Sequence, residues 1–302
     1  MRRPPLAALA LLAATASGCR TPAAVPPSTP ASALAEAVEA AVARHPEAVV
    51  AVVVRRAGSV PVAYERLADR PFHAASTMKV PVMIEAFRQV EAGRRAWADP
   101  VRVENRFRSI VDGSEYQIGD DSDDALYAVQ GRTLSLRNLV ERAITTSSNL
   151  ATNLLIQEMT ADSVQATTDR LGAPGMRVLR GVEDLKAFEA GLSNRTTAAA
   201  LATLFEAIRD GRAVSRRASD EMLDVLDDQE FDEMIPAGLP AGTRVAHKTG
   251  TITRVHHDAG VVFPPDAEPY VLVILTEGIE REAESAALGA AISRAVWEAL
   301  AD

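Results

Sequence analysis

Ser76 and Lys79 stand three positions apart in FHAASTMKVPVM (72–83), and the lysine is enclosed by Met78, Val80, Val82 and Met83. At that spacing the hydroxyl and the amine share one face of a helix. A serine hydroxyl is a weak nucleophile at neutral pH and needs a base beside it. Burial disfavours an ammonium, so a lysine in an apolar site releases its proton more easily and can serve as that base. A serine at a helix N-terminus also lies near backbone N–H groups that can hold a developing oxyanion. Alone, a Ser-x-x-Lys pattern is equally at home on a surface helix. Two further patterns change its weight. Ser147-Ser148-Asn149 falls between two helical segments, where N-capping is the default explanation. Lys248-Thr249-Gly250, followed by Thr251, ends a strand-like run.

The elements that must position these residues are legible. In residues 136–144, Leu136, Leu139, Val140, Ala143 and Ile144 recur with the period of an amphipathic helix. TTSSN then stops that helix, and another begins near Leu150. TTAAALATLFEAI (196–208) is a further helix, and a first one carries Leu34, Val38, Ala41 and Val42 on one face. AVVAVVVRR (48–56) reads as a strand buried on both faces, hairpinned through Gly58-Ser59 to VPVAYE (60–65). RVAHKTG, HDAGVVF and YVLVILT supply three more strands, and a last helix runs from about Ile279 to Leu300. The expected fold is therefore α/β (α+β). One antiparallel sheet is built from both chain ends and flanked by helices, with an all-helical lobe inserted between. A cleft between the two parts is a common place for a pocket.

The chain has 302 residues and a formal net charge of −9, which excludes a nucleic-acid groove built on clustered Lys and Arg. GDDSDDA (119–125) lacks the glycine and terminal glutamate of a calcium loop and reads as a solvated loop. Arg2 and Arg3 precede the apolar stretch Leu6–Ala16, too short to span a bilayer, and then Cys19, the single cysteine. Residues 1–18 read as a signal peptide and 19–35 as a flexible tether rich in proline and alanine. The catalytic domain is 36–302. The Ala16-Ser17-Gly18-Cys19 run resembles a bacterial lipobox, with an ordinary cleavage site as the other reading. An exported protein is expected, periplasmic or in the cell envelope, and lipid-anchored at Cys19 if the lipobox holds.

Taken in order, Ser76-x-x-Lys79, Ser147-Ser148-Asn149 and Lys248-Thr249-Gly250 resemble the motif set of serine β-lactamases and penicillin-binding proteins, most of all class A β-lactamases. The resemblance spans roughly residues 36–302. It implies that Ser76 attacks a lactam carbonyl to form an acyl-enzyme, with Lys79 as base and Lys248 as the second cation that depresses it. It implies that Ser147 relays a proton toward the leaving nitrogen and that Asn149 holds the substrate's side-chain amide. Lys248 and Thr249 would bind the carboxylate, Gly250 would complete the strand motif, and the N–H groups of Ser76 and Thr251 would form the oxyanion hole. Asn153 would support the lobe.

Two departures stand out. Ser148 replaces the usual aspartate. The deacylation glutamate falls on Val182 without a gap and on Glu183 with a one-residue insertion, where Asp184 replaces the usual proline. If Glu183 is only a loop residue, paired with Arg180 or Lys186, the acyl-enzyme is long-lived. The expected function is hydrolysis of penicillin- and cephalosporin-type antibiotics, conferring resistance. The alternative is a D-Ala-D-Ala carboxypeptidase or related cell-wall hydrolase acting on the peptidoglycan stem peptide, or a sensor that acylates and stops. No cofactor and no metal are expected. His247, His256 and His257, with Asp258, lack metal-site spacing and read as lining the cleft, where Arg254 would assist Lys248. Substrate choice would rest on the loop around Tyr116 and on the turn at 251–257. Monomer is the default, and no membrane contact beyond the anchor is expected.

Overall fold

In the computed structural model the described residues are Met1, 30–57, 62–119 and 121–301. The signal segment, most of the tether, Cys19, the Gly58-Ser59 turn and Asp120 lie outside them. Five antiparallel strands form the main sheet, in the order Val62–Arg66, Val49–Arg56, Tyr270–Glu277, Val255–Phe263, Arg244–Ile252. Both chain ends thus contribute, and the central pairing is between the first and last strands, Val52 opposite Ile274. Alternation along the strands explains their continuous apolar runs. Ala51, Val53, Val271, Val273 and Leu275 face one core, while Val50, Val52, Val54, Leu272 and Ile274 face a second.

The second core is closed by helices Pro30–Val42 and Glu282–Ala301, which pack on each other. The first is closed by helix Ala198–Arg209 against the sheet and by the inserted lobe. In the lobe, helix Lys79–Glu91 packs against Leu136–Ile144, Asn149–Met159, Ala161–Arg170 and Arg216–Asp227. Polar residues begin these helices as the turn chemistry predicts. Ser135, Ser148 and Thr197 accept hydrogen bonds from the N–H groups of Asn138, Ala151 and Ala200 at 3.2, 3.2 and 3.1 Å. The lobe is not wholly helical, since short strand pairs interrupt it, such as Phe107–Arg108 with Glu115–Tyr116. These are two- and three-residue segments, too short for a period-2 pattern to register.

Candidate active site

Ser76 sits in the 3-10 turn Ala75–Met78, which runs directly into helix Lys79–Glu91. The edge strand Arg244–Ile252 passes against this turn. A Cβ added at Gly250 would lie 3.0 Å from the backbone nitrogens of both Ser76 and Thr77, so glycine is what permits the approach. An edge strand also keeps half of its backbone groups outside the sheet ladder. That leaves the Thr249–Thr251 end suited to bind an extended substrate. Ala75 has a φ of 46°, and the chain holds this left-handed conformation without a glycine. Ser147 and Glu183 do the same at 58° each. Strained backbone at three points around one cleft is typical of a site whose geometry the surrounding packing enforces.

Lys79 is fully buried, yet its ammonium is fully used. Nζ donates to the Ser147 carbonyl, to Ser147 Oγ at 3.2 Å and to Asn149 Oδ1 at 2.8 Å. Burial pushes its pKa down to about 7, against the opposing pull of Asp121 and Glu183. Lys248, equally buried, donates to Ser147 Oγ at 3.0 Å and to the Thr249 carbonyl at 3.1 Å. Burial and then repulsion from Lys79 hold it well below the ordinary lysine range. Ser147 Oγ is therefore a hydroxyl bridge between two amines, both poised to lose a proton.

Glu183 reaches the same cluster from the loop after Val178. Its Oε1 accepts from Asn149 Nδ2 at 3.0 Å and its Oε2 from the Gly119 N–H at 2.8 Å. Asn149 thereby connects Glu183 to Lys79. The cations expected to pair with Glu183 have other partners. Lys186 bonds Asp112 at 2.9 Å and Ser114 at 2.7 Å, and Arg180 donates to the carbonyls of Leu192 and Gly181. Asn153 fixes this loop from behind, accepting from the Val182 N–H at 2.6 Å and donating to the Val182 carbonyl at 3.0 Å. Ser76 lies between two cavities of about 350 and 380 Å³. Ser147, Asn149, Thr249, Gly250 and Thr251 line the first, while Asn149, Glu183 and Thr251 line the second with His73 and Ile252. Each is large enough for a small-molecule ligand.

Several expectations are corrected. None of His247, His256 and His257 lines either cavity. His247 pairs with the buried Asp258 at 2.9 Å, and His257 bonds the His73 carbonyl at 2.9 Å. Arg254 lies in the turn after Ile252, where it pairs with Glu280 at 3.1 Å and the Gly278 carbonyl at 2.9 Å, leaving Lys248 unassisted by it. Tyr116 lines neither cavity and packs behind the Glu183 loop, its hydroxyl donating to the Val182 carbonyl at 3.3 Å.

Asp121 belongs to the site although it reads as a solvated loop residue. It accepts the N–H groups of Asn149 and Leu150 at 2.8 Å each and the Ser148 hydroxyl at 3.3 Å. A carboxylate from a distant loop thus caps the helix that carries Asn149. The sequence signal was the density of aspartates; their partner could not be read from spacing.

A five-stranded sheet with a helical lobe, and a cleft-lining serine followed one turn on by a buried lysine, facing Ser-x-Asn and Lys-Thr-Gly, defines the class by geometry. The model of the beta-lactamase enzyme family matches residues 33–300, and the chain belongs to that family. A β-lactamase of Bacillus amyloliquefaciens is 32% identical over 155 residues, 50% of this chain and 51% of that one. A β-lactamase of Bacteroides uniformis is 27% identical over 57% of this chain and 62% of that one. The chain therefore spans only about half to three-fifths of these relatives' lengths. Solved structures match more completely. A β-lactamase from Sphaerobacter thermophilus superposes with a TM-score of 0.75 at 29% identity, covering 89% of this chain and 97% of that one. PBP-A superposes equally well at 26% identity, covering 91% and 98%.

Proposed function

We propose that the protein is a class A-like serine β-lactamase that opens penicillin- and cephalosporin-type lactams through an acyl-Ser76 intermediate. The observation that carries this reading is the Lys79–Ser147–Lys248 chain, in which one hydroxyl bridges two buried amines next to the nucleophile's turn. Near pH 7 a substantial fraction of Lys79 is the free amine, which takes the Ser76 proton as Oγ attacks the lactam carbonyl. The N–H groups of Ser76 and Thr251 receive the developing oxyanion. As the ring C–N bond breaks, Ser147 gives its proton to the leaving nitrogen and takes one from the lysine pair. The substrate carboxylate is held by Lys248 and Thr249. Asn149, already bonded to Lys79 and Glu183, holds the side-chain amide. Glu183 then removes a proton from the water that attacks the ester carbonyl, and Ser76 leaves with that proton returned to its oxygen.

Hydrolysis of the acyl-enzyme separates this reading from a D-Ala-D-Ala carboxypeptidase or a lactam sensor. Intact-protein mass spectrometry with excess penicillin G tests it. The expected result is an adduct on Ser76 that clears as penicilloic acid accumulates. An adduct that persists for hours would overturn the lactamase reading and favour the cell-wall hydrolase. The order of residues 1–35 supports export of the domain 36–302 behind a signal segment, with a lipid anchor at Cys19 if the Ala16-Ser17-Gly18-Cys19 run acts as a lipobox. Among the described residues no helix is long and apolar enough to cross a membrane.

A further inference from the structure

The structure assigns a divalent-metal site to Glu233, His256 and Glu282, the two glutamates on the wall of the cleft that holds Ser76 and the histidine buried behind them. One candidate ligand atom from each residue lies within 4.8 Å of the other two. They come from three separate parts of the chain: the segment before the turn Pro236–Gly238, the strand Val255–Phe263, and the first residue of the helix Glu282–Ala301. His256 is 3% exposed, and neither of its ring nitrogens has a hydrogen-bond partner. Its Nε2 points to the carboxylates, 4.0 Å from Glu282 Oε1. A buried imidazole nitrogen left without a partner is destabilising, because it has lost its hydration with nothing in exchange. Placing two carboxylates beside it without a cation adds their mutual repulsion. One cation bound at Nε2 gives that nitrogen a partner and relieves the repulsion between the carboxylates.

The donor set selects the ion. One imidazole with two carboxylates suits a first-row metal such as zinc better than calcium or magnesium, which prefer all-oxygen shells. Zinc bonds of about 2.0–2.1 Å place tetrahedral neighbours roughly 3.3 Å apart. The cluster must close by an ångström or so, and both glutamates are exposed and able to swing inward. Three protein ligands leave a fourth position open, as in sites that bind a substrate or water. Glu233 and Glu282 line the same cavity as Ser76, Thr249 and Thr251, and His256 stands opposite Thr251 in the strand register. If the lactam reading holds, the open position is available to the substrate carboxylate and supplies the second cation that Arg254 does not. This revises the expectation of a metal-free protein, and of His247, His256 and His257 the cluster contains His256 alone.

The test uses the exported chain stripped with EDTA, dialysed and titrated with zinc chloride by calorimetry. Zinc per chain is counted by elemental mass spectrometry after gel filtration. One zinc per chain is expected, with affinity falling at least about tenfold in Glu282→Gln and in Glu233→Gln, and further in His256→Asn. The two glutamate variants alter exposed side chains, so they keep the test decisive should the His256 variant misfold. Absence of stoichiometric zinc, or equal affinity in the Glu233→Gln/Glu282→Gln double variant, would overturn the site. The titration contains no lactam, so its result does not depend on the hydrolase reading. Where turnover is present, KM for penicillin G should fall several-fold on zinc loading; an unchanged KM would remove the carboxylate-binding role alone.

Discussion

Ser147 Oγ lies 3.2 Å from Lys79 Nζ and 3.0 Å from Lys248 Nζ, and no other hydroxyl is placed between both amines among the described residues. Two ammonium groups this close, both fully buried, would repel strongly at low dielectric. At least one is therefore disposed to be neutral, and the shared hydroxyl can pass a proton in either direction. Ser147 holds a left-handed φ of 58° at that gap.

Ser147→Ala removes the relay and leaves the lysines in place. Acylation by penicillin G, followed by stopped flow, should slow by about 10²–10⁴, the usual worth of a positioned proton-transfer group. Loss of less than about tenfold would mean that solvent or Lys248 delivers the proton directly.

The pH profile follows from Lys79. Its amine is protonated below about 7 and free above, so kcat/KM for acylation should rise with pH through about 7 and then level off. Measurement across pH 5–9 at fixed ionic strength checks this, within the range about one to two units either side of the pKa. A profile that falls through that region would assign the lysine an acid role instead.

Glu183→Gln should separate the two halves of the reaction. The amide oxygen can still accept one of the two N–H groups, from Asn149 Nδ2 or from Gly119, but the side chain cannot take a proton from water. Acylation should persist while deacylation slows by about 10² or more, so that the adduct mass accumulates. Unchanged clearance would place the hydrolytic base elsewhere.

Gly181→Ala probes the support of that loop. A Cβ there would collide with Asn153 Oδ1 and lie 2.8 Å from Asn153 Cγ, breaking the pair of bonds that holds Val182. We expect about 1–3 kcal/mol of destabilisation by denaturant melt. Deacylation should be hurt more than acylation, because Glu183 adjoins Val182 whereas Ser76 and Lys79 lie on another element. Equal losses in both steps would show that the loop does not act through Glu183.

Stability should also depend on pH through His247. Burial lowers its proton affinity, but Asp258 at 2.9 Å and Asp232 outweigh burial and raise the pKa from 6.5 to about 9. A raised pKa contributes stability that is fully present below about 6.5 and is lost as pH rises through about 9. Thermal melts should fall over that window by the equivalent of roughly 3 kcal/mol. His247→Gln should flatten this part of the curve, and an unflattened curve would refute the assignment.

The sequence by itself determined the chemistry-bearing residues and the elements that carry them. Ser76 and Lys79 depend on one helix turn, Ser148 on a local cap, and the strands on runs of β-branched residues. All are short-range patterns, visible because covalent spacing fixes their geometry. The tertiary structure alone decided which distant groups complete the site. Asp121 caps the Asn149 helix, Tyr116 withdraws behind the Glu183 loop, Arg254 turns to Glu280, and His256 meets Glu233 and Glu282. No periodicity encodes such meetings. They depend on how the lobe and sheet pack, where loop residues contact partners far away in sequence and loop spacing carries no memory of the distance.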